Sequence, residues 1–249
     1  MATTASEPPV PWTRALPAGD AAVLLEFGTT IDPETNAAVH RVFRTLAADP
    51  PAGVTGLIPA YATLLVEFDP TVTTRAQVLA DLAGRRYTGG VEAGRRVVLP
   101  VLYGGEGGPD LEEVARAAGI SPDEVVRLHA GQDYRVYAVG FSPGFPFLGI
   151  VPEAIQLPRR ASPRTRVPKG SVAIAGRQTG VYPADSPGGW HLIGRTPVPL
   201  FELGRTPPVP YQVGDRVRFR PVDAATYAEL AERWRSGQLS WEALVDGVD

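Results

Sequence analysis

The chain has 249 residues, 44% of them apolar and 20% charged, a globular balance with material for one large domain or two modest ones. A net charge of −3 argues against a general nucleic-acid binder, and no run approaches the roughly 18 apolar residues of a membrane span. With no cysteine there is no disulfide, thiol nucleophile or thiolate metal site, which fits a reducing cytoplasm.

The N-terminal stretch MATTASEPPVPW has neither a positive start nor an apolar core, so it reads as a short disordered lead and not as a signal peptide. Ala21 to Phe27 is a compact apolar run and is expected to be a buried strand. Asp32-Pro33-Glu34 starts a helix, with Asp as N-cap and Pro in the first turn. Val39, Val42, Phe43 and Leu46 then give that helix one apolar face, and His40 is expected to be exposed. Strands follow at Val54–Pro59 and Tyr61–Phe68, and a second helix at Thr74–Leu82. A last strand at Val97–Leu102 would either complete a split βαβ sandwich or open the next domain. Arg85 to Gly94 is the expected boundary.

Val97 to Tyr103 is another strand, followed by the loop Gly104–Gly108. Asp110 and Glu113 read as a capping box for a helix, and Ser121 to Glu124 repeats the start signal for a second helix reaching His129. Tyr134 to Phe141 is apolar on both faces and reads as a central strand. Short strands are expected at Ser171–Ala175, Val181–Tyr182, His191–Ile193 and Pro199–Leu203. A hairpin signal at Val213–Arg216 precedes a strand at Val217–Arg220. Many short strands between Gly/Pro turns suggest a β-barrel. Asp223 caps a last helix through Trp234, which stops at Gly237.

Phe141 to Arg195 is the unusual stretch. It holds eight Gly, eight Pro, six Arg and one Lys against two acids. Glycines admit tight turns, and prolines restrict the loops that result. The basic run Arg159, Arg160, Arg164, Arg166 and Lys169 is either a solvated or partner-docking loop, or aims one or two arginines at a carboxylate. Gln178 sits in a Gly-flanked turn, where its amide either pairs with a planar amide substrate or bonds its own backbone. Tyr182 lines the same wall or belongs to the core, and Trp190 packs.

Other chemistry is thinner. Gly104–Gly108 has neither phosphate-loop spacing, and Glu106 would repel an anion, so a plain turn is expected. The three histidines lie far apart with no ligand spacing, so no metal site is expected. His129 near a helix end fits the helix dipole. His191, inside the basic stretch, is the histidine suited to carry a proton or donate a hydrogen bond. Ser186 has no evident base.

Four segments, YGGEGGPDLEEVA (103–115), GFSPGFPFLG (140–149), PRRASPRTRVPKGSVAIAGRQTGVYP (158–183) and DSPGGWHLIGRTP (185–197), together resemble one family, that of allophanate hydrolase subunit 1. It includes the Bacillus inhibitor of the sporulation histidine kinase and the B component of bacterial 5-oxoprolinase. The same module, fused to its subunit 2 partner, occurs in urea carboxylase. The resemblance covers Trp12 to Val222. It implies an α+β fold: a ferredoxin-like domain at 12–90, a cyclophilin-like β-barrel at 95–222 carrying the site, and a C-terminal helix and tail at 223–249. It also implies a cytoplasmic hetero-oligomer with a cyclophilin-like subunit 2, which is the C component of 5-oxoprolinase, and with the A component. Such a complex cleaves 5-oxo-L-proline to L-glutamate at the expense of ATP.

The family motif residues fall here on Pro143, Gly144 and Phe145; on Arg164 and Arg166; on Gln178 and Tyr182; and on Gly188, Gly189, Trp190, Gly194 and Arg195. In this reading Phe145 and Gly189 contact the substrate, and Arg164, Arg166 or Arg195 holds its carboxylate or a phosphorylated intermediate. Gln178 and Tyr182 orient the lactam, and His191 shuttles a proton. The resemblance equally allows an inhibitor of a sensor histidine kinase, with the same loops as docking surface, or a subunit of a urea or allophanate system.

Overall fold

The computed structural model describes residues 10–88 and 94–245. The expected N-terminal lead lies largely outside them, as does the middle of the expected boundary segment. The chain divides into two units, Met1–Glu92 and Ala93–Asp249.

In the first unit, β1 (Arg14–Pro17), β2 (Ala22–Glu26), β3 (Val54–Pro59) and β4 (Thr63–Phe68) form an antiparallel sheet in the order β1-β2-β4-β3. Helix α1 (Pro33–Ala48) is capped as its sequence demands: the Asp32 carboxylate accepts the Thr35 N–H at 2.7 Å. Helix α2 (Arg75–Gly84) opens with a reciprocal capping box between Thr74 and Gln77. Alternation in the strands puts Val23, Leu25, Leu64, Val66 and Phe68 on one face, in one core with Val39, Val42 and Leu46 of α1 and Val78 and Leu82 of α2.

His40, expected to be exposed, is buried. It lies one turn from Asn36, whose amide donates to the Ala60 and Tyr61 carbonyls, so the inner face of α1 is wider than its apolar stripe. The strand at Val97–Leu102 does not complete this sheet. The edge beside β2 is taken by β1, which the sequence reading missed.

The second unit is a closed seven-stranded barrel. Its strands are β5 (Arg96–Tyr103), β6 (Asp133–Val139), β7 (Pro146–Gly149), β9 (Ser171–Ala175), β10 (Gln178–Val181), β12 (His191–Arg195) and β13 (Arg216–Pro221), in the order β10-β7-β6-β13-β5-β12-β9. All neighbours are antiparallel except β5 and β13, which run parallel from Arg96↔Arg216 to Val101↔Pro221. A two-stranded ribbon of β8 (Arg164–Val167) and β11 (Ser186–Gly188) stands apart from the barrel sheet. Helices α3 (Leu111–Ala118) and α4 (Pro122–Ala130) follow β5, and α5 (Ala224–Arg235) follows β13.

Period-two alternation gives the barrel wall two apolar faces. Leu99, Val136, Leu148, Ile174, Ile193 and Phe219 belong to the large central core. Their neighbours Phe147, Ala173, Ala175 and Leu192 belong to a second cluster with Phe145, Val167, Tyr182 and Trp190.

His129 is part of the central core. Its ring stacks on Phe219 at 4.6 Å, Nδ1 accepts the Tyr103 hydroxyl at 2.7 Å and Nε2 donates to Thr179 Oγ1 at 2.9 Å. Burial pushes its pKa down to about 3, so the ring is neutral, and the expected interaction with a helix dipole is replaced by core hydrogen bonding. Pro199–Leu203, expected as a strand, is irregular, and Val213–Arg216 leads into β13 with no strand before it.

Candidate functional site

The second apolar cluster opens into a cavity of about 390 Å³ on the barrel's outer wall, lined by Phe141, Phe145, Phe147, Tyr182, Trp190 and Arg159, with Gly188 and Gly189 beneath. Its size falls in the range of small-molecule sites. Phe145 is the centre of an aromatic box. Its ring lies 4.8 Å from Phe147, 5.2 Å from Tyr182 and 5.5 Å from Trp190, the last two nearly edge-on.

The loop that carries Phe145 is built by its sequence. In Phe141-Ser142-Pro143-Gly144-Phe145, Gly144 adopts φ +81°, and a side chain there would meet the Leu200 carbonyl at 2.9 Å. The Gly144 carbonyl accepts the buried Tyr211 hydroxyl, and the Phe145 N–H donates to Ser142. Phe141 sits in the left-handed region at φ 68° and is 70% exposed at the cavity mouth. A bulky residue held in that conformation marks stored strain at a rim position.

Tyr182 is buried on the floor. Desolvation raises its pKa, while the nearby Arg159 charge, a hydrogen bond from the Trp190 backbone and the Arg164 charge act the other way. Gly188 runs directly across the Tyr182 ring: a Cβ there would lie 2.9 Å from Cζ.

The basic loop is held from below by one carboxylate. Asp110, expected to cap α3, makes no capping bond. Instead its Oδ1 accepts Arg164 Nη2 at 2.6 Å and Arg160 Nη1 at 3.2 Å, and its Oδ2 accepts the Leu192 N–H at 2.7 Å. Glu113, the other half of the expected box, accepts Arg160 at 2.9 Å. The local capping pattern is overridden because two guanidinium groups arrive from about fifty residues away and offer charge-assisted bonds.

The structure brings Phe145, Tyr182 and Gly189 to the cavity, and leaves the other expected site residues outside its lining. Arg164 is paired with Asp110. Arg166, 77% exposed, is paired with Asp185, whose pKa is lowered by the Lys169 N–H first and by Arg166 next. Arg195 donates through Nε to the Lys169 carbonyl at 3.0 Å. Gln178 does not sit in the turn: Gly176-Arg177 is the turn, and Gln178 opens β10 opposite Ala175. His191 is buried and donates from Nε2 to the Pro158 carbonyl at 2.9 Å. It pairs across from Ile174, on the face opposite Leu192 and the cavity cluster.

The sequence reading named Arg159 only as one of a basic run, and missed Phe141, Phe147 and the cavity role of Trp190. Arg159 lies 6.0 Å over the Trp190 ring and has no acidic partner among the described residues. Nothing local distinguishes it from Arg160; the positions of Asp110 and Glu113 do. Among the described residues no group of three or more His, Asp or Glu could hold a metal ion, and no helix is long and apolar enough to cross a membrane.

A closed barrel with a cyclophilin-like strand arrangement and an aromatic cavity on its outer wall defines a class. The family described as carboxyltransferase domain, subdomain C and D, matches residues 13–211, and the chain belongs to that family. Within it, the chain is 42% identical over 229 residues to the B component of 5-oxoprolinase from Bacillus subtilis (strain 168), covering 86% of this chain and 95% of that one. The resemblance carried by the four motifs is thereby borne out. The crystal structure of TTHA0988 is similar at 42% identity with a TM-score of 0.74 over 82% of this chain, which spans 40% of that longer chain. The K. lactis urea amidolyase structure gives a TM-score of 0.76 over 95% of this chain and 17% of its own, at 18% identity, and shares the fold.

Proposed function

We propose that this chain is one component of an ATP-dependent 5-oxoprolinase complex that converts 5-oxo-L-proline to L-glutamate, with the cyclophilin-like C component and the A component as partners. The observation that carries this reading is the end-to-end similarity to a 5-oxoprolinase B component, 95% of whose length is covered. The aromatic cavity supports it, because its size and apolar lining suit a compact five-membered ring.

In this mechanism the chain binds and orients. The walls exclude water from the ring, and the Tyr182 hydroxyl donates to the lactam oxygen, its neutral state favoured by burial. Gly189 lets the substrate approach the backbone. His191, Arg164, Arg166 and Arg195 act as positioning residues, tying the basic loop, the β8–β11 ribbon and β12 into one frame. ATP bound by the complex would supply a phosphoryl group to make the lactam oxygen a better leaving group. The Gly104–Gly108 loop does not fit a phosphate: the Gly104 and Gly108 amides donate to the Ile193 and Gly104 carbonyls, and Glu106 adds negative charge.

The first unit is assigned to the ferredoxin-like class from its strand–helix–strand–strand–helix order, β2-α1-β3-β4-α2, with β1 in the place of the fourth strand. The test of the function is a coupled ATPase and glutamate-release assay with this chain purified beside the A and C components. Glutamate forming only with all three present and with 5-oxoproline supplied is the expected result; a stable complex with no turnover refutes it.

A further inference from the structure

We infer that Arg159 is the residue that recognises the substrate's carboxylate, and that the cavity selects a compact apolar ring bearing one negative charge. The inference deepens the proposed function and rests on it for the identity of the ring, though not for the chemistry of recognition.

Four of the six arginines in Phe141–Arg195 have at least one guanidinium nitrogen bound to an oxygen of the site's frame. Arg160 is held by Asp110 and Glu113, Arg164 by Asp110, Arg166 by Asp185, and Arg195 by the Lys169 carbonyl. A carboxylate ligand would have to compete with a protein oxygen already in place at each, and would find Asp110 or Asp185 repelling it. Arg177 lies in the β9–β10 turn, outside the cavity lining. Arg159 is the one charged residue among those that line the cavity. Its guanidinium rests over the Trp190 ring, a cation–π contact that sets its position and leaves its N–H edge for a planar anion.

The remaining lining is aromatic, proline or glycine, with no carboxylate among it. A ligand with a second charge or a long polar chain would therefore bury polar atoms without partners. A ring seated against the Phe147 and Trp190 walls places one edge toward Tyr182 and an acidic substituent toward Arg159. Both groups line the same cavity.

The test is titration calorimetry of the full chain with three probes: 5-oxo-L-proline, neutral 2-pyrrolidinone and cyclopentanecarboxylate. Arg159→Gln is expected to weaken both acids about 10- to 100-fold, the size of a lost charge-assisted pair, and to leave 2-pyrrolidinone unchanged. Arg159→Lys is expected to recover part of the loss, since the charge returns without the planar fork. Because Arg159 is exposed, the variants fold, and their thermal midpoints serve as the check. If Arg159→Gln binds 5-oxo-L-proline as the parent does, or neither acid binds the parent chain, the inference is overturned. If the acids bind through Arg159 but the assembled complex releases no glutamate, the 5-oxoprolinase reading falls and the inference stands.

Discussion

Replacing Asp110 by alanine tests the frame of the site. The carboxylate is buried and accepts three bonds, from Arg164, Arg160 and the Leu192 N–H. Its removal leaves the Leu192 N–H without an acceptor inside the barrel wall, a cost of about 1–3 kcal/mol. The two arginine side chains are each 27% exposed, so each lost pair is discounted to about 1 kcal/mol. The sum is about 3–5 kcal/mol. With a urea slope of about 2 kcal/mol/M, the midpoint followed by tryptophan fluorescence should fall by about 1.5–2.5 M. Asp110→Asn keeps an oxygen for Leu192 and should cost about half as much. In the double variant Asp110→Ala, Arg164→Gln, the second change should cost about 1 kcal/mol less than it does alone. A stability for Asp110→Ala within about 0.5 kcal/mol of the parent, or strict additivity in that cycle, would refute the idea that one carboxylate clamps the loop.

Three further outcomes follow from the geometry. His129 has a folded pKa pushed down to about 3 against an unfolded value near 6.5, so below pH 6.5 the unfolded chain binds a proton that the folded chain does not. Stability should therefore fall as pH falls, by about 2 kcal/mol between pH 6.5 and pH 5 at about 1.36 kcal/mol per unit. His129→Gln should flatten that slope in urea titrations at each pH. Gly188→Ala pushes a methyl into the Tyr182 ring and should weaken 5-oxo-L-proline binding at least tenfold by calorimetry while the far-UV circular dichroism is unchanged. Arg205 lies between Trp234 at 5.2 Å and Trp241 at 4.9 Å and pairs with Glu202, so Arg205→Ala should cost about 1–2 kcal/mol and lower the thermal midpoint by several degrees.

The capping residues Asp32, Thr74, Ser121 and Asp223 mark helix starts in the sequence and hold those places in the structure, because a cap is satisfied within three residues of itself. Ser171–Ala175 and the heart of β13 are legible for the same reason: apolar alternation and flanking turns are local. The motifs around Phe145, Tyr182 and Gly189 likewise point to residues that do meet at the cavity. Asp110 shows where this stops. As a local pattern it is a capping box, and in the fold it is an anchor for arginines 50 and 54 positions away. His40 and His129 fail in the same way, since burial of a helix face depends on what packs against it.

Residues within a few positions of one another thus carry most of the elements, the family and the basic, Gly/Pro-rich character of the site, and these can be read before any fold is known. Long-range packing settles the rest: the closure of the barrel by the parallel pairing of β5 with β13, the two faces of its wall that separate His191 from Tyr182, and the commitment of each arginine. Those depend on distances between residues far apart in the chain. An arginine has the same chemistry at 159, 160, 164 and 166, and only the carboxylates that the fold sets beside three of them leave the fourth to face the cavity.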